Sequence, residues 1–146
     1  MLNGRGRPLE FHCTAPIKPN RAQQILYGPT LEPYLYGEQI GSTLISKAKA
    51  RPLVVCTDCV PALAVRDHVE IPVLLVLADE GAGGPPALLR FRLGHNDVAV
   101  LDGADEDRRL ATERIATAAE SLDLREPFQR IREAIEEAQR AVRKSA

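Results

Sequence analysis

The sequence predicts an α/β domain of small three-layer form, with a parallel βαβ core, an antiparallel edge hairpin and two C-terminal helices. Three observations carry this. Leu53-Val54-Val55-Cys56 and Val73-Leu74-Leu75-Val76-Leu77 are unbroken apolar runs, which suit central strands covered on both faces. The stretch between them has the length of a helix, so strand, helix and strand form a parallel unit with a right-handed crossover. Downstream, a period-two pattern gives way to two segments with helical spacing.

Taken in order, residues 1–8 read as a flexible amino-terminal arm. Residues 9–14 alternate Leu9, Phe11 and Cys13 with Glu10, His12 and Thr14, the pattern of a half-buried first strand. Pro16, Pro19, Pro29 and Pro33, with Gly28 and Gly37, punctuate residues 15–41 into turns, with room for one short helix around 21–26. Tyr27, Tyr34 and Tyr36 fall here, either pinning a loop to the core or offering a binding surface. Residues 38–50 suggest a helix with Ile40, Leu44, Ile45 and Ala48 on one side, ended by Pro52. Strands are expected over 52–57 and 71–78, with a helix over 58–67 that admits Pro61 in its first turn.

Residues 81–86 read as a connecting loop. Leu89, Phe91 and Leu93 then alternate with Arg90 and Arg92, and a turn at Gly94-His95-Asn96-Asp97 leads into residues 98–101, so 87–102 form a hairpin on the sheet edge. The closing helical pair covers 105–144. Asp105 is the expected cap of its first member, whose apolar stripe is Leu110, Ala111, Ile115, Ala118 and Leu122. Pro127 opens the second, where Phe128, Ile131, Ile135, Ala138 and Val142 form a narrow seam expected to be buried, with Glu126–Arg130 and Glu136–Arg140 pairs outside it.

Composition bounds the function. The chain has 146 residues, enough for a single domain, with 45% hydrophobic and 27% charged residues, a globular balance. A net charge of -1 provides no field to attract nucleic acid or acidic lipid, and Arg5 with Arg7 make too small a patch. No apolar run is long enough to span a bilayer and the first residues lack a secretory pattern, so the expected location is cytoplasmic. Three cysteines without an export signal read as free thiols.

Those thiols are the candidate site. Cys13 and Cys56 each end an expected strand and each precedes a threonine, while Cys59 opens the following helix. Parallel neighbours would bring all three to the sheet edge where open α/β folds bind ligands. Cys56-Thr57-Asp58-Cys59 has redox-pair spacing but lacks the filling residues of thioredoxin-like motifs. Cys13, Cys56, Cys59 and one of His12, His68 or His95 would make a zinc set. Residues 53–76 resemble the strand–Cys–helix–strand segment of aspartate/glutamate racemases over that stretch alone, with the family's Cys-Asn-Thr standing here as Cys56-Thr57-Asp58. That resemblance implies an acid/base thiol, in a chain too short for the two lobes that supply opposing thiols. The plain alternative is that all three are core residues, since cysteine is among the most buried types.

Other motifs have structural explanations. Residues 80–86 lack phosphate-loop spacing and precede a strand; Asp102, Asp105, Glu106 and Asp107 suit a helix start better than a calcium loop; Arg90 and Arg92 protect an edge strand or clasp an anion. Two functions remain. The first is a non-catalytic binding or assembly module that uses its C-terminal helices to meet itself or a protein partner. The second is a small thiol- or zinc-dependent enzyme at Cys13, Cys56 and Cys59, its cofactor otherwise unspecified.

Overall fold

The computed structural model describes the backbone of residues 1–78 and 87–145, with side chains through residue 140. The expected loop over 81–86 and the Val142 side chain lie outside those described residues. The continuous apolar runs become β1 (Val55–Thr57) and β2 (Val73–Val76), paired in parallel with Val55 opposite Val73. β3 (Leu88–Leu93) and β4 (Asn96–Leu101) form the hairpin, and β4 lies antiparallel to β2, so the sheet order is β1-β2-β4-β3. The hairpin therefore supplies one edge strand, β3, and one interior strand. The other edge is β1: Val54 and Cys56 pack on one core and Val55 on the other, so the run read as central is covered on both faces but lies at an edge, with Leu53 before it 59% exposed.

Alternation along the strands builds two cores. Leu74, Val76, Leu93, Val98 and Val100 face α3 (Asp105–Ala119), where they meet Ala111 and Ala119. Val73, Leu75 and Ala99 face the opposite layer, where they meet Leu63 and Val65 of a 3-10 helix over Val60–His68. The α/β/α layering follows directly.

Several elements differ from expectation, each for a local reason. The crossover is a 3-10 helix, whose rise of about 2.0 Å per residue reaches farther than an α-helix of equal length. α1 (Arg21–Tyr27) forms where a short helix is expected, held by a reciprocal Asn20–Gln23 capping box. The helix expected over 38–50 is a π-helix, Pro33–Gly41, running into α2 (Ser42–Ser46). Glycine permits this approach to the 3-10 helix: a Cβ at Gly37 would stand 2.7 Å from both Ala64 Cβ and the Val65 nitrogen. Residues 9–14 form no strand. The Glu10 carboxylate instead accepts the N–H groups of Lys49 at 2.9 Å and Ala50 at 3.2 Å, which turns the polar side inward. Residues 1–8 curl on themselves through a Leu2–Pro8 bridge, with the Asn3 side chain accepting the Arg5 and Arg7 N–H groups.

Two buried polar groups fix the layers. Asp107 makes the contact expected of no single residue at the start of α3: Asp105 is not the cap, a position held by Ala104 without a side-chain bond. Asp107 is 2% exposed and accepts Arg66 Nε at 2.8 and 3.0 Å and the Val73 N–H at 3.3 Å, while Arg66 Nη1 reaches the Val69 carbonyl at 2.8 Å. Asn96 donates to the carbonyls of Leu93, Ala119 and Leu122 and accepts the Leu124 N–H at 2.8 Å, tying the hairpin to the end of α3. Of the two hairpin-turn residues, Gly94 and His95, only Gly94 has positive φ (+60), as in a type II′ turn, and a Cβ there would sit 2.2 Å from the Ala119 oxygen.

Asp107→Ala should cost about 2 to 4 kcal/mol, because the Val73 N–H loses its partner and a charge-assisted pair is removed. Urea unfolding of the variant measures this; a loss within about 0.5 kcal/mol would show that Asp107 does not hold the layers together.

Candidate functional site

The structure separates the three cysteines by environment. Cys56 lies on β1 and packs against the core that faces α3. Burial desolvates its thiol and pushes the pKa from 9.0 up to about 12. This is the reverse of an activated nucleophile, which needs a stabilised thiolate. Cys59 is the residue before the 3-10 helix; its N–H donates to Thr57 Oγ1 at 3.1 Å. Cys13 is exposed on the strandless segment, so the strand end expected to bring it to the sheet edge does not exist. All three are free thiols. Among the described residues, no three His, Cys, Asp or Glu side chains gather as a metal-ligand set, so Cys13, Cys56 and Cys59 with a histidine do not make the zinc arrangement. His12 Nε2 pairs with Glu10 at 2.9 Å and His68 Nε2 approaches Glu38 at 4.0 Å, while His95 occupies the exposed hairpin turn.

The aromatic cluster resolves into a stack. Tyr27 of α1 and Tyr34 of the π-helix lie 4.4 Å apart between ring centroids, at an interplanar angle of 27°. A hydrogen bond with Tyr27, aided by nearby Glu38, raises the Tyr34 pKa. The pair packs α1 on the π-helix, with the rings against each other, while Tyr36 is 39% exposed.

The second candidate surface is α4 (Glu126–Ser145). Its first turn is anchored: Pro127 is buried, and Phe128 packs on the α3-side core. Arg130 reaches the Gly6 carbonyl at 3.0 Å, and Arg132 bonds Asp58, just after β1. The rest of the seam is open, contrary to the expectation of burial. Ile131 is 41% exposed, Ile135 is half-buried and Ala138 is exposed. The pairs Glu126–Arg130 at 2.7 Å and Glu136–Arg140 at 3.5 Å form as expected, leaving the seam free of charge. Among the described residues, no helix is long and apolar enough to cross a membrane.

One anchor escaped the sequence reading. The Glu10 carboxylate gathers His12 and the Lys49 and Ala50 N–H groups, which together hold its pKa near 2 against an ordinary 4.5. Nothing at residues 49 and 50 marks them as partners, since they contribute only backbone.

Two outcomes follow. Alkylation should modify exposed Cys13 first and Cys56 last, with Cys56 slower than in the unfolded chain by at least about a hundredfold, given its scarce thiolate. Peptide mass mapping reads the order, and early Cys56 labelling would remove the buried assignment. For Glu10, depressed in the folded state, the anchoring contribution is complete above pH 4.5 and is lost as pH falls toward 2. Amide exchange at Lys49 and Ala50 should accelerate across that window in the wild type, and Glu10→Gln should abolish the dependence; identical profiles would discard the anchor.

No family model matches the chain, and searches of curated proteins and of solved structures likewise give no match.

Proposed function

We propose that this chain is a non-catalytic assembly module that associates with a second copy through the open part of α4. The observation that carries the reading is the seam itself: Ile131, Ile135 and Ala138 repeat at three and four residues, yet Ile131 and Ala138 remain exposed. A helix whose apolar stripe is left outside its own domain is suited to meet another helix. The positions flanking the seam favour a like partner. Ala134 and Gln139 are uncharged and Arg132 is engaged by Asp58, so two copies aligned along the seam meet no opposed like charges there. The helix is also nearly balanced, with Glu126, Glu133, Glu136 and Glu137 against Arg130, Arg132, Arg140, Arg143 and Lys144.

Magnitudes set the strength. Fully burying an isoleucine contributes about 1.5 to 3 kcal/mol, and association costs about 4 to 15 kcal/mol in lost freedom. Ile131 and Ile135 from two copies therefore support at most a weak, concentration-dependent dimer by themselves. The thiol- or zinc-dependent alternative has less in its favour, because its most central residue, Cys56, is desolvated and Cys13 is not on a strand.

Light scattering across a concentration series should give a mass rising from one copy toward two. Ile131→Glu should remain folded, since the side chain is already exposed, and should stay at monomer mass. A wild type that is monomeric at millimolar concentration, or an Ile131→Glu protein that still dimerises, would overturn the reading.

A further inference from the structure

The molecule holds a strand-patterned segment without a sheet and a sheet with an open edge. Along residues 9–14 the apolar side faces solvent: Leu9 is 57% and Phe11 51% exposed and Cys13 is exposed, while Glu10, His12 and Thr14 are half-buried. This inverts the usual polarity of a half-buried strand. Among the described residues no hydrogen bond satisfies the N–H groups of Phe11, His12, Cys13 or Thr14. The complementary gap is at β1. Among the described residues it pairs only with β2, and the Val55 N–H donates to the Pro72 carbonyl at 2.9 Å, so the parallel ladder's alternation turns the Val54 and Cys56 backbone groups to the free edge. An apolar run beside an open edge invites another strand.

We infer that residues 9–14 of one copy add to the β1 edge of a second copy, as the fifth strand of its sheet. Two features favour a second copy over the segment's own sheet. Glu10 holds the segment by the Lys49 and Ala50 N–H groups with Leu9 and Phe11 outward, a posture compatible with reaching away from its own chain. Arg132 bonds Asp58 immediately after β1, so the open part of α4 starts where β1 ends and the two surfaces are continuous. Strand addition uses main-chain bonds for affinity and alternate side chains for fit, which supplements the weak α4 seam. This rests on the assembly reading and extends it.

The test is amide exchange of full-length protein by NMR, at concentrations below and above the light-scattering midpoint. Exchange at Val54 and Cys56 should slow at least about tenfold in the associated state. Phe11→Asp, at an exposed position, should stay folded, keep monomer-like exchange at both amides, and associate more weakly. A dimer whose Val54 and Cys56 amides exchange as in the monomer overturns strand addition while leaving α4 association intact. Protection independent of concentration shows the segment covering its own edge and also overturns it. A protein monomeric at every concentration overturns both proposals.

Discussion

The buried carboxylate of Asp107 is the constraint on which the layers depend. It sits in the first turn of α3 and binds the Arg66 guanidinium from the 3-10 helix on the opposite face of the sheet, as well as the N–H that begins β2. One side chain thus joins both helical layers to the central strand. Its position at the positive end of α3 offsets part of its desolvation, and the guanidinium supplies the rest, with Arg66 raised in return. Asn96 performs the matching task at the other end of α3, where orphaned helix carbonyls meet a hairpin turn that only glycine can form.

With α3 locked at both ends, α4 is held beyond its first turn by Arg130 to the Gly6 carbonyl and Arg132 to Asp58. The chain passes from Asn96-bound Leu124 into buried Pro127 and Phe128, and by then the α3-side core is filled by Val98, Val100, Ala111 and Ala119. Ile131 and Ala138 stay exposed. The same economy shapes the other edge, where β1 spans only Val55–Thr57 and β2 takes the central place that its full burial demands. Among the described residues, open apolar surface lies before β1 at Leu53, on α4 at Ile131, along the amino-terminal segment at Leu9, Phe11 and Ile17, and on α1 at Ile25 and Leu26.

The chemistry of the thiols follows from these placements. A β1 side chain that faces α3 enters the core, and a thiol there is held neutral. A thiol at residue 13 stays outside because Glu10 and His12 claim the inward side of the segment. Neighbouring positions in the pleat thus settle exposure without any requirement for reactivity.

How much was legible in the sequence depended on whether an element's partners were local. The parallel pairing of 52–57 with 71–78 was readable because both runs lack polar alternation, and the hairpin because Gly94 punctuates a period-two pattern. Helix spacing likewise disclosed α3, α4 and the seam from Phe128 to Ala138. Residues 9–14 were misread because alternation records which residues could share a face, while the direction that face takes depends on distant groups, here the Lys49 and Ala50 amides. Cys13, Cys56 and Cys59 shared a sequence logic of strand ends and helix starts, but their grouping required a strand that Glu10 prevents. The sequence by itself determined the α/β class, the βαβ unit and the amphipathic stripes, since these arise from periodicity along the chain. Only the tertiary structure decided the crossover's 3-10 form, the edge position of β1, the exposure of the α4 seam and the separation of the thiols, because each depends on which surface remains uncovered after Asp107 and Asn96 have fixed the layers.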